Sequence, residues 1–157
     1  MEVTLTVPEM NLALQSAWLR IMVSTAKGLN AATTKPRPFL TRIKEEVVGA
    51  VAEVAVAKAV GGFFVPSVNT FHRVPDILHD VEVRATDDRN GRLIVRDNDS
   101  NDRRYLLVTT DGLNSTIVGW MTGGDAKQDH WRANPGGYRE SWFVPQHALR
   151  PPEEVIQ

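Results

Sequence analysis

The sequence predicts an α/β (α+β) domain, helices first and a central β-sheet after them, and three observations carry that prediction. Residues 9–60 place apolar side chains at three- and four-residue spacings, the period of a helix. From Phe63 onward the apolar runs shorten and alternate between turn clusters, as strands do. The chain has 157 residues, 42% of them hydrophobic, which is the size of one domain and enough apolar mass for a core. A single domain is therefore expected, with a helical part over 9–60, a sheet-rich part over 63–145 and a short tail over 146–157.

The first helix is expected over 9–27, where Leu12, Leu14, Trp18, Leu19, Met22 and Val23 recur and Gly28 and Asn30 are stop signals. Pro36 and Pro38 make the next stretch a loop. A second helix is expected from Thr41, as N-cap, to Ala59, with Glu45 and Glu46 in its first turns and Gly61 and Gly62 ending it. At 100° per residue, Glu46, Gly49, Ala50, Glu53 and Ala57 form one stripe, and the other faces are mostly valine and alanine. A helix apolar nearly all round is a buried one, and a stripe of small residues lets another backbone approach.

The strand runs are FFVPSV, DILHDVEVRAT, GRLIVR, YLLVTT and STIVGWM. In GRLIVR, Leu93 and Val95 face one side and Arg92, Ile94 and Arg96 the other. The segment DNDSND reads as a polar hairpin loop between two of these strands. A short helical piece over 124–131, the loop ANPGG and a last strand over 141–144 complete the chain.

Composition removes several functions. With no cysteine there is no disulfide framework, no thiolate zinc site and no cysteine nucleophile, and a cytoplasmic setting is expected. The N-terminal residues lack the pattern of a secretory signal, and no apolar run reaches the roughly 20 residues that span a bilayer, so no membrane partner is expected. A net charge of −1 writes no long-range attraction to nucleic acid into the whole chain, so any such contact must use local patches. There is no phosphate-cradling GxxxxGK[ST], no GxSxG elbow and no dinucleotide fingerprint. His72, His79, His130 and His147 lack zinc spacing. Asp97, Asp99 and Asn101 open like a calcium loop, but Asp102 stands where that loop needs glycine and Val108 where it needs glutamate.

The chemically informative segment runs from Pro75 to Thr86. Glu82 and Arg84, two apart, share one face of a strand, and Asp76 has the same parity. In one straight strand Asp76 and Glu82 would stand roughly 20 Å apart. To share a site the chain must turn at Leu78-His79-Asp80, and Asp80 is the alternative acidic partner if the turn lies elsewhere. Glu53 lies on the small-residue stripe of a buried helix, where a carboxylate demands a cation or hydrogen bonds. Glu46, seven residues earlier, is a neighbour on the same stripe.

Pro75-Asp76 followed by Glu82-Val83-Arg84, with Glu53 on the helix before them, resembles the signature of the PD-(D/E)xK, or restriction-endonuclease-like, superfamily over residues 41–120. That resemblance implies a mixed sheet flanked by helices in a restriction-endonuclease-like core. It also implies Mg²⁺ or Mn²⁺ held by Glu53, Asp76 and Glu82, and cleavage of phosphodiester bonds in DNA. The same three residues and Arg84 are the expected catalytic set. Arginine replaces the usual lysine at Arg84; it stays charged and offers a planar fork suited to phosphate rather than a base. Arg92 and Arg96 are candidate grips on the phosphate backbone, although interleaved acids such as Asp87, Asp88 and Asp97 make a solvated surface equally open. The competing reading of Glu82 and Arg84 is the wet face of an edge strand, and of Asp76 a turn residue after proline. A catalytically inactive relative of the same fold, binding nucleic acid or assembling with protein, is the alternative function. A homodimer is left open.

Overall fold

Thr6 and Glu9 start the first helix. In the computed structural model, which describes residues 1–27, 38–64, 80–135 and 140–156, a strand β1 (Glu2–Thr4) leads into helix α1 (Val7–Ala26) through a capping box. The Thr6 hydroxyl accepts from the Glu9 N–H, and the Glu9 carboxylate accepts from the Thr6 N–H at 2.6 Å. The helix therefore begins two residues ahead of the expected start. Helix α2 (Phe39–Ala59) also starts early: Pro38 occupies its N-cap and makes no side-chain cap, so Thr41 lies inside the helix. Proline serves there because its fixed φ suits a helix entrance.

The two helices run against each other by their small faces. Ala13, Ser16 and Ala17 of α1 are buried, as are Ala50 and Ala57 of α2, which is the close approach that the stripe on α2 predicts. The C-terminal half of α2 is buried on most sides, from Ala50 to Ala57 apart from Glu53, which is partly covered.

The strands that follow are β2 (Val81–Thr86), β3 (Leu93–Arg96), β4 (Arg104–Asp111), β5 (Asn114–Thr122), β6 (Arg132–Ala133) and β7 (Ser141–Val144). A short helix α3 (Gly123–Ala126) and a 3-10 turn at Asp129–Trp131 fill the place where one helical piece is expected. They form two sheets. The first is mixed, in the order β1-β5-β4-β2, with β2 parallel to β4 and the other pairs antiparallel. The second is antiparallel, in the order β3-β7-β6. Strands β3 and β4 are thus in different sheets, and the DNDSND segment is a crossing between sheets, not the hairpin loop the sequence suggests. The tight hairpin is β4–β5, turned by Gly112 at a φ of 58°, where glycine carries no steric penalty.

A shift of register keeps the layers consistent. Leu107 faces Gly119 but Val108 faces Ile117, leaving Val118 as a one-residue bulge. Leu106, Val108, Ile117 and Trp120 consequently all join Val81 and the α2 residues in one core. Tyr105, Leu107 and Met121 face the other way, onto Leu93, Val95, Trp142 and Val144 of the second sheet. The result is three layers: the helix pair, the mixed sheet and the small sheet. As expected, Leu93 and Val95 point inward, while Arg92, Ile94 and Arg96 are exposed. Among the described residues no helix is long and apolar enough to cross a membrane.

Candidate functional site

Strand β2 is the edge of the mixed sheet, and its alternation sorts its residues between two layers. Val81, Val83 and Ala85 pack toward the helices. Glu82 and Arg84 therefore turn the other way, into the seam where the small sheet meets the large one. Parallel pairing sets Glu82 beside Tyr105 and Arg84 beside Leu107, and the crossing between β3 and β4 brings Asp99 and Arg103 over them.

The contacts there are close. Arg84 Nη2 lies 2.7 Å from Glu82 Oε1 and donates to both oxygens of Asp99 at 3.0 Å. Arg103 Nη1 donates to Glu82 Oε2 at 3.0 Å. The Arg84 guanidinium also sits over the Tyr105 ring, 5.2 Å from its centroid. The side chains of Glu82, Arg84 and Asp99 are only 11–16% exposed. Two sheltered carboxylates thus share one guanidinium, whose Nε is buried without a partner. Burial, with the Asp99 and Glu82 charges adding to it, pushes the Tyr105 hydroxyl up to about 12.

The crossing itself is pinned from below. Lys127 Nζ donates to the carbonyl oxygens of Asp97 and Asp99, at 3.2 and 2.7 Å, and to Asn101 Oδ1 at 2.8 Å. Asp99 Oδ2 accepts from the Arg96 N–H at 2.8 Å. Of the three residues that open like a calcium loop in sequence, only Asn101 turns its side-chain oxygen to this ammonium group; Asp97 and Asp99 offer their backbone carbonyls, and the Asp99 carboxylate goes to Arg84.

Other expected residues lie elsewhere. Glu53 sits in the helical layer, and both of its oxygens accept from Arg20 of α1, at 2.8 and 2.6 Å. The cation its burial demands is a guanidinium. Because α2 packs on the Val81–Val83–Ala85 face of β2, Glu53 and Glu82 are on opposite sides of the sheet. The expected gathering of Glu53 with Glu82 is thus not what the described residues show. Glu46, close to this pair, has its pKa raised by burial, with Arg20 pulling it down and Glu53 pushing it up. Asp80 does not join Glu82 either; its carboxylate accepts from Arg104 Nε at 2.8 Å and Nη2 at 2.5 Å. Arg92 and Arg96 lie on the outer face of the small sheet, turned away from the seam. Asp76 and the turn expected at residues 78–79 lie outside the described residues.

Two members of the seam, Asp99 and Arg103, are not set beside Glu82 by any spacing in the sequence, although Asp99 stands in the segment that opens like a calcium loop. Their signal is the polar crossing itself, whose end is fixed to β2 only through the fold. Oxygen donors of this type suit a hard cation, and Glu82 and Asp99 already converge on one positive group. Among the described residues, however, no three acidic or histidine side chains are grouped to hold a metal ion. Comparison of the chain with protein-family models, curated proteins and solved structures returns no match.

Proposed function

We propose that the chain is a divalent-metal-dependent nuclease with a restriction-endonuclease-like core, acting on phosphodiester bonds in DNA in the cytoplasm. The supporting observation is the Glu82–Arg84–Asp99 cluster. Acid and guanidinium lie side by side in a sheltered seam, on the strand that directly follows the segment bearing Asp76. Burying such charges is a poor route to stability, since desolvation offsets much of the attraction, so a sheltered cluster of them is a candidate for chemical use. In this reading Asp76 and Glu82 are the residues that would hold Mg²⁺ or Mn²⁺, with Asp99 near enough to Arg84 to join them. The ion would polarise the phosphate and promote ionisation of a water. Arg84, released from Glu82, would present its planar fork to the scissile phosphate, while Arg103 stays on the other Glu82 oxygen. Glu53 then serves the helix pair rather than the ion.

A second reading is favoured by one specific observation: the carboxylate oxygens of Glu53 and Glu82 are already engaged by guanidinium groups. A module of this fold without catalysis, binding nucleic acid or protein, would look the same. Plasmid nicking with Mg²⁺ or Mn²⁺ separates them. Asp76→Ala and Glu82→Gln are expected to lose about 100-fold or more of the wild-type rate, the scale of removing one transition-state stabiliser. Circular dichroism melts show whether each variant is folded. Equal nicking by all three proteins, or no carboxylate-dependent Mn²⁺ binding by the wild type, would remove the nuclease reading.

A further inference from the structure

Helix α1 carries two ionisable side chains in 20 residues, Glu9 and Arg20, and both are paired with α2. Glu9 meets Lys58 at 2.8 Å and Arg20 meets Glu53 at 2.6 Å. Its outward face therefore bears no charge at all. Large apolar side chains stand there instead: Leu14, Trp18, Leu19 and Met22 are 44–55% exposed. Phe39 and Leu40 extend this surface at the start of α2, beside the end of α1 where Arg42 Nη2 donates to Ser24 Oγ at 2.9 Å.

We propose that this face is a homodimer interface, in which α1 of one subunit packs antiparallel on α1 of a second copy across a two-fold axis. Charge and area both point to that occupant. A membrane-surface helix needs a basic polar rim along its length and a nucleic-acid surface needs clustered lysine and arginine, whereas the cations beside this face, Lys27 and Arg42, stand at one end of it, with Arg42 turned onto Ser24. An uncharged face is compatible with itself, because a two-fold axis sets no like charges together. Taking about 200 Å² for a fully exposed large side chain, the fractional exposures of these six residues amount to roughly 630 Å², about three-quarters of the roughly 800 Å² that each partner buries in a standard interface. Leu14 and Trp18 lie near the midpoint of α1, so an antiparallel pair puts them at the centre, and the exposed Val7 end of one subunit meets the Phe39–Leu40 end of the other. Charge depletion at the centre with an aromatic anchor is the usual composition of such a contact.

Sedimentation equilibrium of the full chain tests this. The wild type is expected at twice its 17.5 kDa, and Trp18→Arg is expected to weaken association by about 30-fold or more, the scale of losing one anchor residue. A monomeric wild type, or a dimer unmoved by Trp18→Arg, would overturn the proposal. Because the chain has no cysteine, a milder test stands beside it. Trp18→Cys should form a disulfide-linked dimer under mild oxidation, whereas Ile94→Cys, on the exposed face of β3, should not. Equal cross-linking at both positions would also overturn it.

Discussion

Replacing Glu53 by glutamine, Arg20 by methionine, and both together tests what the carboxylate on α2 does. The pair is bidentate, with N···O separations of 2.8 and 2.6 Å and side chains 14% and 13% exposed. At that separation an effective dielectric of about 20 gives a gross attraction of roughly 6 kcal/mol, most of it offset by desolvation. Leaving one member of a buried pair alone costs about 3–5 kcal/mol, and the remaining solvent contact reduces that here to about 2–4 kcal/mol for each single variant. The double variant should fall short of the sum by about 1–3 kcal/mol. Urea denaturation at neutral pH reads this as a shift in midpoint at constant slope.

Glu46 adds a pH dependence to that cycle. Its folded pKa lies above 4.5, so its contribution favours folding below pH 4.5 and is lost as pH rises through the folded value. Arg20 restrains that rise, so its attraction to the ionised Glu46 is lost as pH falls, and Arg20→Met should cost more at neutral pH than at pH 4. If either single variant shifts stability by less than about 1 kcal/mol, or the two effects simply add, the clamp assigned to this pair is wrong. If Glu53→Gln instead leaves the midpoint unchanged and abolishes Mn²⁺ binding, Glu53 belongs at the metal after all.

Three further outcomes follow from particular contacts. In a Tyr138→Phe background, the absorbance of Tyr105 at alkaline pH should not rise until about pH 12; its neutral form favours folding below pH 10 and that contribution is lost toward pH 12, so half-ionisation near 10 in the folded protein would refute its burial. Lys127→Met should lower stability by about 1–3 kcal/mol in a thermal melt, because three oxygens of the crossing lose their shared donor; an unchanged melting temperature would show that the crossing holds itself. Gly119→Ala should cost about 1–3 kcal/mol, since a Cβ there would stand 2.5 Å from the Arg150 carbonyl oxygen, which accepts from the Trp120 N–H; a neutral result would mean that the C-terminal segment can shift away.

Local features were the legible part of the fold. The period-two order of GRLIVR and the helical order of α2 follow from one element at a time, and the structure has both. The capping box of Thr6 and Glu9 was equally local and stands in the sequence as T-x-x-E, yet the apolar run drew the expected helix start away from it. Pairings were less legible. That β3 joins β7 rather than β4 depends on residues 45 or more positions away, and turn residues between β3 and β4 look the same for a hairpin and for a crossing. Glu53 shows the same divide: its burial can be read from the stripe it occupies, but the identity of its cation needs the face of α1, and Arg20 lies 33 residues earlier. The outward apolar face of α1 was hidden for a related reason. Spacing identifies a helix, but not which of its sides meets the core, and here the side with alanine and serine does.

The layering also constrains where any ion could bind. Strand β2 presents valine and alanine to the helices and Glu82 and Arg84 to the seam, so no carboxylate on α2 reaches Glu82 without crossing the sheet. Among the described residues, a site built on Glu82 would be completed from the crossing that carries Asp99. Such an ion would compete with guanidinium groups already in place, because Arg84 and Arg103 each hold one oxygen of Glu82. Removing a guanidinium from a sheltered carboxylate is unfavourable unless the guanidinium gains another anion. In the proposed function the phosphates of DNA would supply one. Were the proposed ion bound, its affinity would be coupled to phosphate binding, and Arg84, with a planar, permanently charged fork, would be better suited than the point charge of lysine to exchange a carboxylate for a phosphate.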